Sequence, residues 1–231
     1  MKKIALAFLL VMVAGVALGQ STTIYEIQTG AIEEGTLVNP NDVVVTAVTD
    51  NGVFVAEAPY GQFNGIWVYT GSDEPHGMVA GDVVAVCGEY KEYYDLSEID
   101  VAAAGLYGSL IKTGEQAVPA PSYVNAADLA ADGEPWESCV VTITDGMIVN
   151  EIHSYGEWTA LALDGTPVRF DDYWFDAASV LVDDCYDNAT GVWYFGYGDF
   201  KLEAFADGIA LVDCYVATDE VTFGTIKALY R

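Results

Sequence analysis

The sequence predicts an all-β protein built as two tandem five-stranded barrels behind a cleaved leader. Short β-branched segments recur between turn signals, and no stretch after the leader sustains a helical apolar period. A stretch rich in proline and small residues breaks this pattern once, at 113–135. The pattern then restarts and repeats its order of elements.

The leader spans residues 1–19, MKKIALAFLLVMVAGVALG. Lys2 and Lys3 form a positive start, Ile4 to Val16 is almost unbroken apolar chain, and Ala17-Leu18-Gly19 supplies small residues at the exit. That is the pattern of a secretory signal peptide cut before Gln20. The apolar run falls short of the roughly 20 residues that span a bilayer comfortably. No cysteine stands at the cut, which argues against a lipid anchor. The expected location is secreted, periplasmic or cell-surface, with no membrane segment after cleavage.

Charge narrows the function classes. Eight Lys and Arg face 35 Asp and Glu, for a formal charge of −27. Hydrophobic residues make up 52%, far too many for a disordered acidic tail. Tight nucleic-acid binding is not expected, because it needs clustered Lys and Arg to neutralise phosphates. Docking on anionic lipid is disfavoured for the same reason.

The first unit is read over 20–112. Residues 43–48 are β-branched and end at Asp50-Asn51-Gly52, a hairpin signal. Strands follow at 53–57 and 66–69, separated by a loop with Pro59, Gly61 and Gly65. After the Gly81-Asp82 turn a strand over 83–89 resumes, and 90–99 reads as its continuation past a bend. The connector, 113–135, holds Pro119, Pro121 and Pro135, and inside it Asn125 can cap a short helix over 126–131. The second unit, 136–231, offers strands at 139–144, 158–163 and 167–170. A long one with internal glycines reads over 191–205, and a last one over 209–212. A terminal tail with Lys227 and Arg231 follows.

The halves are alike. CGEYKEYYDLSEI around Gly88 and TGVWYFGYGDFKLEA around Gly191 share a Gly, an aromatic run, an Asp turn and an apolar-to-Glu ending. The first unit resembles the OB-fold domains found beside bacterial extracellular nucleases and phosphoesterases. The resemblance rests on TIYEIQ at 23–28, VVVTAVTDNGVFVAEA at 43–58, NGIWVYTG at 64–71 and GDVVAVCGEYKEYYDLSEI at 81–99. The second unit, with EPWESCVVTITDG, EWTALALDGTPVRFDDYW and GVWYFGYGDFKLEAF, is similar to a divergent second copy of such a domain. The resemblance implies two OB-like barrels and a binding or accessory role rather than catalysis.

An OB barrel presents its second and third strands to a ligand. Phe54, Trp67 and Tyr69 lie on those strands of the first unit, and Trp158 and Phe170 hold similar places in the second. Stacking of bases or sugars on such faces is the ligand-binding expectation. Trp67 and Tyr69 share one face of their strand, and the sequence leaves open which face is interior.

Little else points to chemistry. The histidines, His76 and His153, sit in loop-like contexts, and there is no HExxH, no paired CxxC, no nucleophile elbow and no P-loop. No resident cofactor is expected. Calcium is the one metal candidate, through oxygen ligands from Asp183, Asp184 and Asp187. Four cysteines in an exported chain point to disulfide bonding. One pair is expected among Cys139, Cys185 and Cys214, with Cys87 left over.

The expected function is therefore a secreted, non-catalytic binding or accessory protein whose partner is an unidentified extracellular ligand or protein. The alternatives are a surface protein whose acidic faces are bridged by cations, and a weak nucleic-acid-binding module.

Overall fold

The computed structural model describes residues 21–71 and 77–214. The leader, His76 and the tail with Lys227 and Arg231 lie outside them. The described chain is all-β, with 49% strand against 12% helix.

The first sheet holds β1 (Leu37–Val38), β2 (Val43–Thr49), β3 (Gly52–Ala56), β4 (Gly65–Tyr69), β5 (Asp82–Tyr93), β6 (Leu96–Asp100) and β7 (Ser109–Glu115). Its ring runs β2-β3-β4-β6-β5 and returns to β2, with β4 and β6 parallel. The second sheet holds β8 (Ser122–Val124), β9 (Val140–Ile143), β10 (Met147–Ile152), β11 (Trp158–Ala162), β12 (Pro167–Asp171), β13 (Cys185–Gly196) and β14 (Asp199–Val212). It closes as β10-β11-β12-β14-β13 and back to β10, with β12 and β14 parallel. Both rings therefore have strand order 1-2-3-5-4 with strands 3 and 5 parallel, the path of a five-stranded OB-like barrel.

A short helix precedes each barrel. Helix α1 (Ile24–Gln28) starts in a capping box: Thr23 Oγ1 accepts from Glu26 N–H at 3.1 Å, and the Glu26 carboxylate accepts from Thr23 N–H at 2.9 Å. The sequence pattern assigns no element here, although Thr23-x-x-Glu26 is the signature of this cap. Helix α2 (Ala126–Ala131) is capped by Asn125, whose side chain accepts from Asp128 N–H at 2.7 Å. Ile24 and Ile27 enter the first core, and Ala126 and Leu129 enter the second.

Each barrel fills with alternate side chains of its strands. The first interior is aliphatic, with Val43, Val45, Val53, Val55, Ile66, Val68 and Ile99. The second is aromatic at its centre, where Trp158 stacks on Phe170 at 5.1 Å and Tyr186 meets Phe170 edge-on at 5.8 Å.

Two tight hairpins differ from the sequence expectation. Residues 90–99 are not one bent strand: β5 turns back into β6 at Tyr94-Asp95, both with positive φ (52° and 66°). Residues 191–205 likewise contain the turn from β13 to β14 at Tyr197-Gly198, with φ of 57° and 90°. Two-residue hairpins of this type need left-handed residues at both positions and favour Asn-Gly or Asp-Gly. Tyr94-Asp95 and Tyr197-Gly198 carry a weaker signal, so the strands read as continuous. Strands β7 and β10 also have no counterpart in the sequence pattern, and β7 runs into the stretch read as connector.

Cys185 and Cys214 form a disulfide with Cα atoms 5.4 Å apart, while Cys139 is buried and free and Cys87 is half-buried and free. The bond ties the far end of β14 to the start of β13, across a sequence separation of 29. Loop-closure entropy for that separation is about 3.6 kcal/mol. Replacing both cysteines by serine is expected to lower the urea unfolding free energy by about that amount. An unchanged denaturation midpoint would contradict it.

Candidate functional site

The barrels meet through an aromatic seam. Ala47, Phe54, Trp67 and Leu96 of the first pack with Val192 of the second, flanked by Tyr69, Trp174, Tyr194 and Phe205. Phe54 is the hub: its ring lies 4.6 Å from Trp67, 6.2 Å from Trp174 and 6.0 Å from Tyr194. Polar contacts fix the docking. Trp174 Nε1–H donates to Val48 C=O at 3.0 Å, Asp50 N–H to the Tyr173 hydroxyl at 2.6 Å, and Ser97 N–H to Glu137 Oε1 at 3.0 Å. Gly65 is required at the seam, because a Cβ there would stand 2.5 Å from Ser138 C=O.

Beside this seam lies a cleft of about 520 Å³, lined by both barrels. From the first barrel come Phe54, Trp67 and Tyr69 with Lys91, Glu98 and Asp100. From the second come Asp171, Asp172, Tyr173, Trp174, Tyr194, Lys201 and Glu203.

Strand parity explains this cast. On β4, Ile66 and Val68 point into the barrel, so Trp67 and Tyr69 point out to the cleft. On β12, Val168 and Phe170 point inward, so Asp171 points out. The parallel register pairs Val68 with Ile99 and Phe170 with Leu202, which makes Phe170 the counterpart of Val68. Trp158 and Phe170, expected to face a ligand, are therefore interior residues at 0% exposure. They fill the core of the second barrel. Of the five aromatics expected to face a ligand, only the first barrel's three line the cleft, with Phe54 and Trp67 partly committed to the seam.

The charges are organised in pairs that leave two buried acids over. Lys91 Nζ bonds Asp100 at 2.7 Å. Lys201, only 1% exposed, bonds Glu157 at 2.5 Å and Asp171 at 2.9 Å. Burial alone would lower the Lys201 pKa, but these two carboxylates outweigh it and raise it. Glu98 is 5% exposed. Burial, then repulsion from Asp100, pushes its carboxyl up to about 7. Glu203 is 7% exposed and receives one long bond, from Tyr173 N–H at 3.3 Å. Burial, then Asp171, pushes it up to about 8. Tyr194 stands between them, its hydroxyl raised to about 12 by burial and by the charges of Glu203 and Glu98.

The sequence pattern singles out neither Glu98 nor Glu203, nor Lys201 or Trp174, while Tyr194 lies in the aromatic run 193–197, which reads equally as core or ligand face. The repeated apolar-to-Glu ending contains both glutamates, as LSE and KLE, so the signal exists without a role attached.

The residues offered for calcium do not converge. Asp184 Oδ2 accepts from Leu181 N–H at 2.8 Å, Asp187 lies on β13 and accepts from Asn188, and Asp183 sits in the turn with φ of 76°. Among the described residues, no group of three or more His, Cys, Asp or Glu side chains is arranged to hold a metal ion. His153 bonds the Thr159 hydroxyl at 2.8 Å, away from the cleft.

Neither a protein-family model nor a curated protein matches the chain.

Proposed function

We propose that the protein is an exported, non-catalytic binding module of two OB-fold barrels that takes a small ligand or a partner's side chain in the cleft between them. The observation that carries this reading is the cleft itself. Its volume of about 520 Å³ suits a small molecule, and its floor is the outward face of β3 and β4, where barrels of this path take ligands. Aromatic walls with a few fixed polar groups are the usual composition of such sites. The leader and the acidic, soluble surface support an extracellular setting.

A nucleic-acid ligand is disfavoured here. Five carboxylates line the cleft against two lysines, and both lysines are already paired. Among the described lining residues, phosphates would find no free cation.

The test is a tryptophan-fluorescence and calorimetric titration of the chain lacking residues 1–19. The probes are benzyltrimethylammonium, maltotetraose and a short single-stranded DNA. At least one of the first two should bind saturably. Trp67→Ala, which removes a wall without touching either barrel interior, should weaken that binding about tenfold or more. DNA should bind no tighter than about millimolar at physiological salt. No saturable binding of any probe, or turnover of a fluorogenic glycoside or phosphodiester, would overturn the reading.

A further inference from the structure

We propose that the cleft recognises an organic cation, an ammonium group on an apolar body, held between Glu98 and Glu203 and walled by Trp67, Tyr69, Trp174 and Tyr194. This rests on the binding reading above and names its ligand class.

Four observations converge on it. Glu98 is only 5% exposed, lines the cleft, and takes part in no hydrogen bond or ion pair among the described residues. Its cross-strand neighbour Lys91 is engaged by Asp100 instead. Glu203 on the other barrel has no ion pair and accepts only the long bond from Tyr173 N–H among the described residues, since Lys201 is engaged by Glu157 and Asp171. Buried carboxylates are stable in low dielectric only when paired or protonated, and each barrel's own lysine is already taken. A ligand cation is the missing partner for both.

The walls favour the same class. Ring faces attract cations electrostatically, and the attraction grows where water is excluded. Phe54 holds Trp67, Trp174 and Tyr194 around one point through contacts from both barrels. An anion would meet uncompensated carboxylates. A neutral sugar would use the rings but leave Glu98 and Glu203 without a countercharge. A bare metal ion would find no converging set of three ligands among the described residues.

The inference carries a pH signature. Glu98 faces Lys91 on β5, Asp100 on β6 and Tyr194 on β13. Glu203 faces Asp171 on β12, Lys201 on β14, Asp172 and Tyr194. Burial keeps both glutamates protonated below neutral pH and frees them to ionise above it. Cation affinity therefore rises with pH.

The experiment uses benzyltrimethylammonium, which has no titratable group, so that any pH dependence belongs to the protein. Benzyl alcohol is the neutral counterpart. Benzyltrimethylammonium should bind at least tenfold tighter at about pH 9 than at about pH 5.5, and added salt should weaken it. Benzyl alcohol should show neither effect. Glu98→Gln and Glu203→Gln keep shape and remove charge, and each should cost about tenfold in cation affinity at the higher pH. If either variant fails to fold, the comparison of charged and neutral probes on the native sequence decides the matter. Equal binding of the two probes, or a cation affinity indifferent to pH, would overturn the proposal. Maltotetraose binding without cation binding would overturn it while leaving the binding reading intact. Failure of every probe would overturn both.

Discussion

Raising the pH from about 5 to about 8 is expected to destabilise the protein by an amount on the order of 5 kcal/mol. Three buried glutamates carry the effect. Glu137 is 1% exposed and joins the start of the second unit to Ser97 of the first barrel through Oε1, while its Oε2 has no hydrogen-bond partner among the described residues. Burial, then Glu134, pushes its carboxyl from the ordinary 4.5 up to about 8. Glu203 rises similarly to about 8, and Glu98, which opens on the cleft, to about 7. The folded state thus holds protons that the unfolded chain releases above about pH 4.5. Where the native state binds more protons, stability falls as pH rises. The contribution is fully present below the unfolded value and is lost by the folded one. A tenfold difference in proton affinity between the folded and unfolded chain is worth about 1.4 kcal/mol. Relaxation and water entry around Glu137 and Glu203 hold the total below the simple sum over the three groups.

The remaining acids do not reverse this slope. Asp82 is held below the usual carboxylate range by hydrogen bonds from Lys112 and Val79 N–H, so its stabilisation is lost only on the far acidic side. Self-repulsion among 35 acidic residues grows in the same direction as the buried glutamates. Urea unfolding at the two pH values, with unchanged slope against denaturant, measures the effect. Glu137→Gln should flatten it by about a third. Stability that is level or rising across this window would refute the account.

Lys201→Met is expected to cost about 3–5 kcal/mol. Lys201 is the ionic centre of the second barrel's outer face, inside a cage of Glu157, Asp171 and the Tyr197 ring, whose centroid is 5.4 Å from Nζ. Methionine preserves the apolar stem and removes the charge. Asp171 and Glu203 then lose their cation, and Glu157 keeps only Arg169, at 3.5 Å. Breaking a buried pair on one side is costly because the surviving charge stays desolvated. Adding Asp171→Asn to Lys201→Met should recover a measurable part, and the cycle formed by the two single variants and the double gives the coupling. A loss under about 1 kcal/mol would show the cage to be as weak as a surface pair. The same substitution tests the charge balance of the cleft, since Lys201 is what keeps Asp171 from competing for a bound cation.

Much of the architecture was legible in the chain. Val43-Val44-Val45 before Asp50-Asn51-Gly52, and Cys139-Val140-Val141 after a proline-rich stretch, mark strands by local stiffness and turn chemistry, both of which act over a few residues. The β-branched recurrence and the doubled GEYKEYYDLSEI and GVWYFGYGDFKLEA segments carried the all-β, two-barrel reading. The hairpins at Tyr94-Asp95 and Tyr197-Gly198 were not legible, because left-handed φ at a tyrosine is imposed by the strands it joins.

The site needed the third dimension. Alternation along a strand says that Trp67 and Tyr69 share a face and that Ile66 and Val68 share the other, but both faces of β4 are apolar, and either set fills a barrel. Only closure of the ring, with Val68 beside Ile99 and Phe170 beside Leu202, turned Trp67 outward and Phe170 inward. The presence of both Glu98 and Glu203 on one cleft lies further still from the chain. They stand 105 positions apart on separate barrels, and what brings them to one cleft is the packing of Phe54 against Trp174 and Tyr194. Local sequence determines what a segment is. Which of its faces is interior, and what it stands against, is decided by burial summed over partners that are distant in the chain.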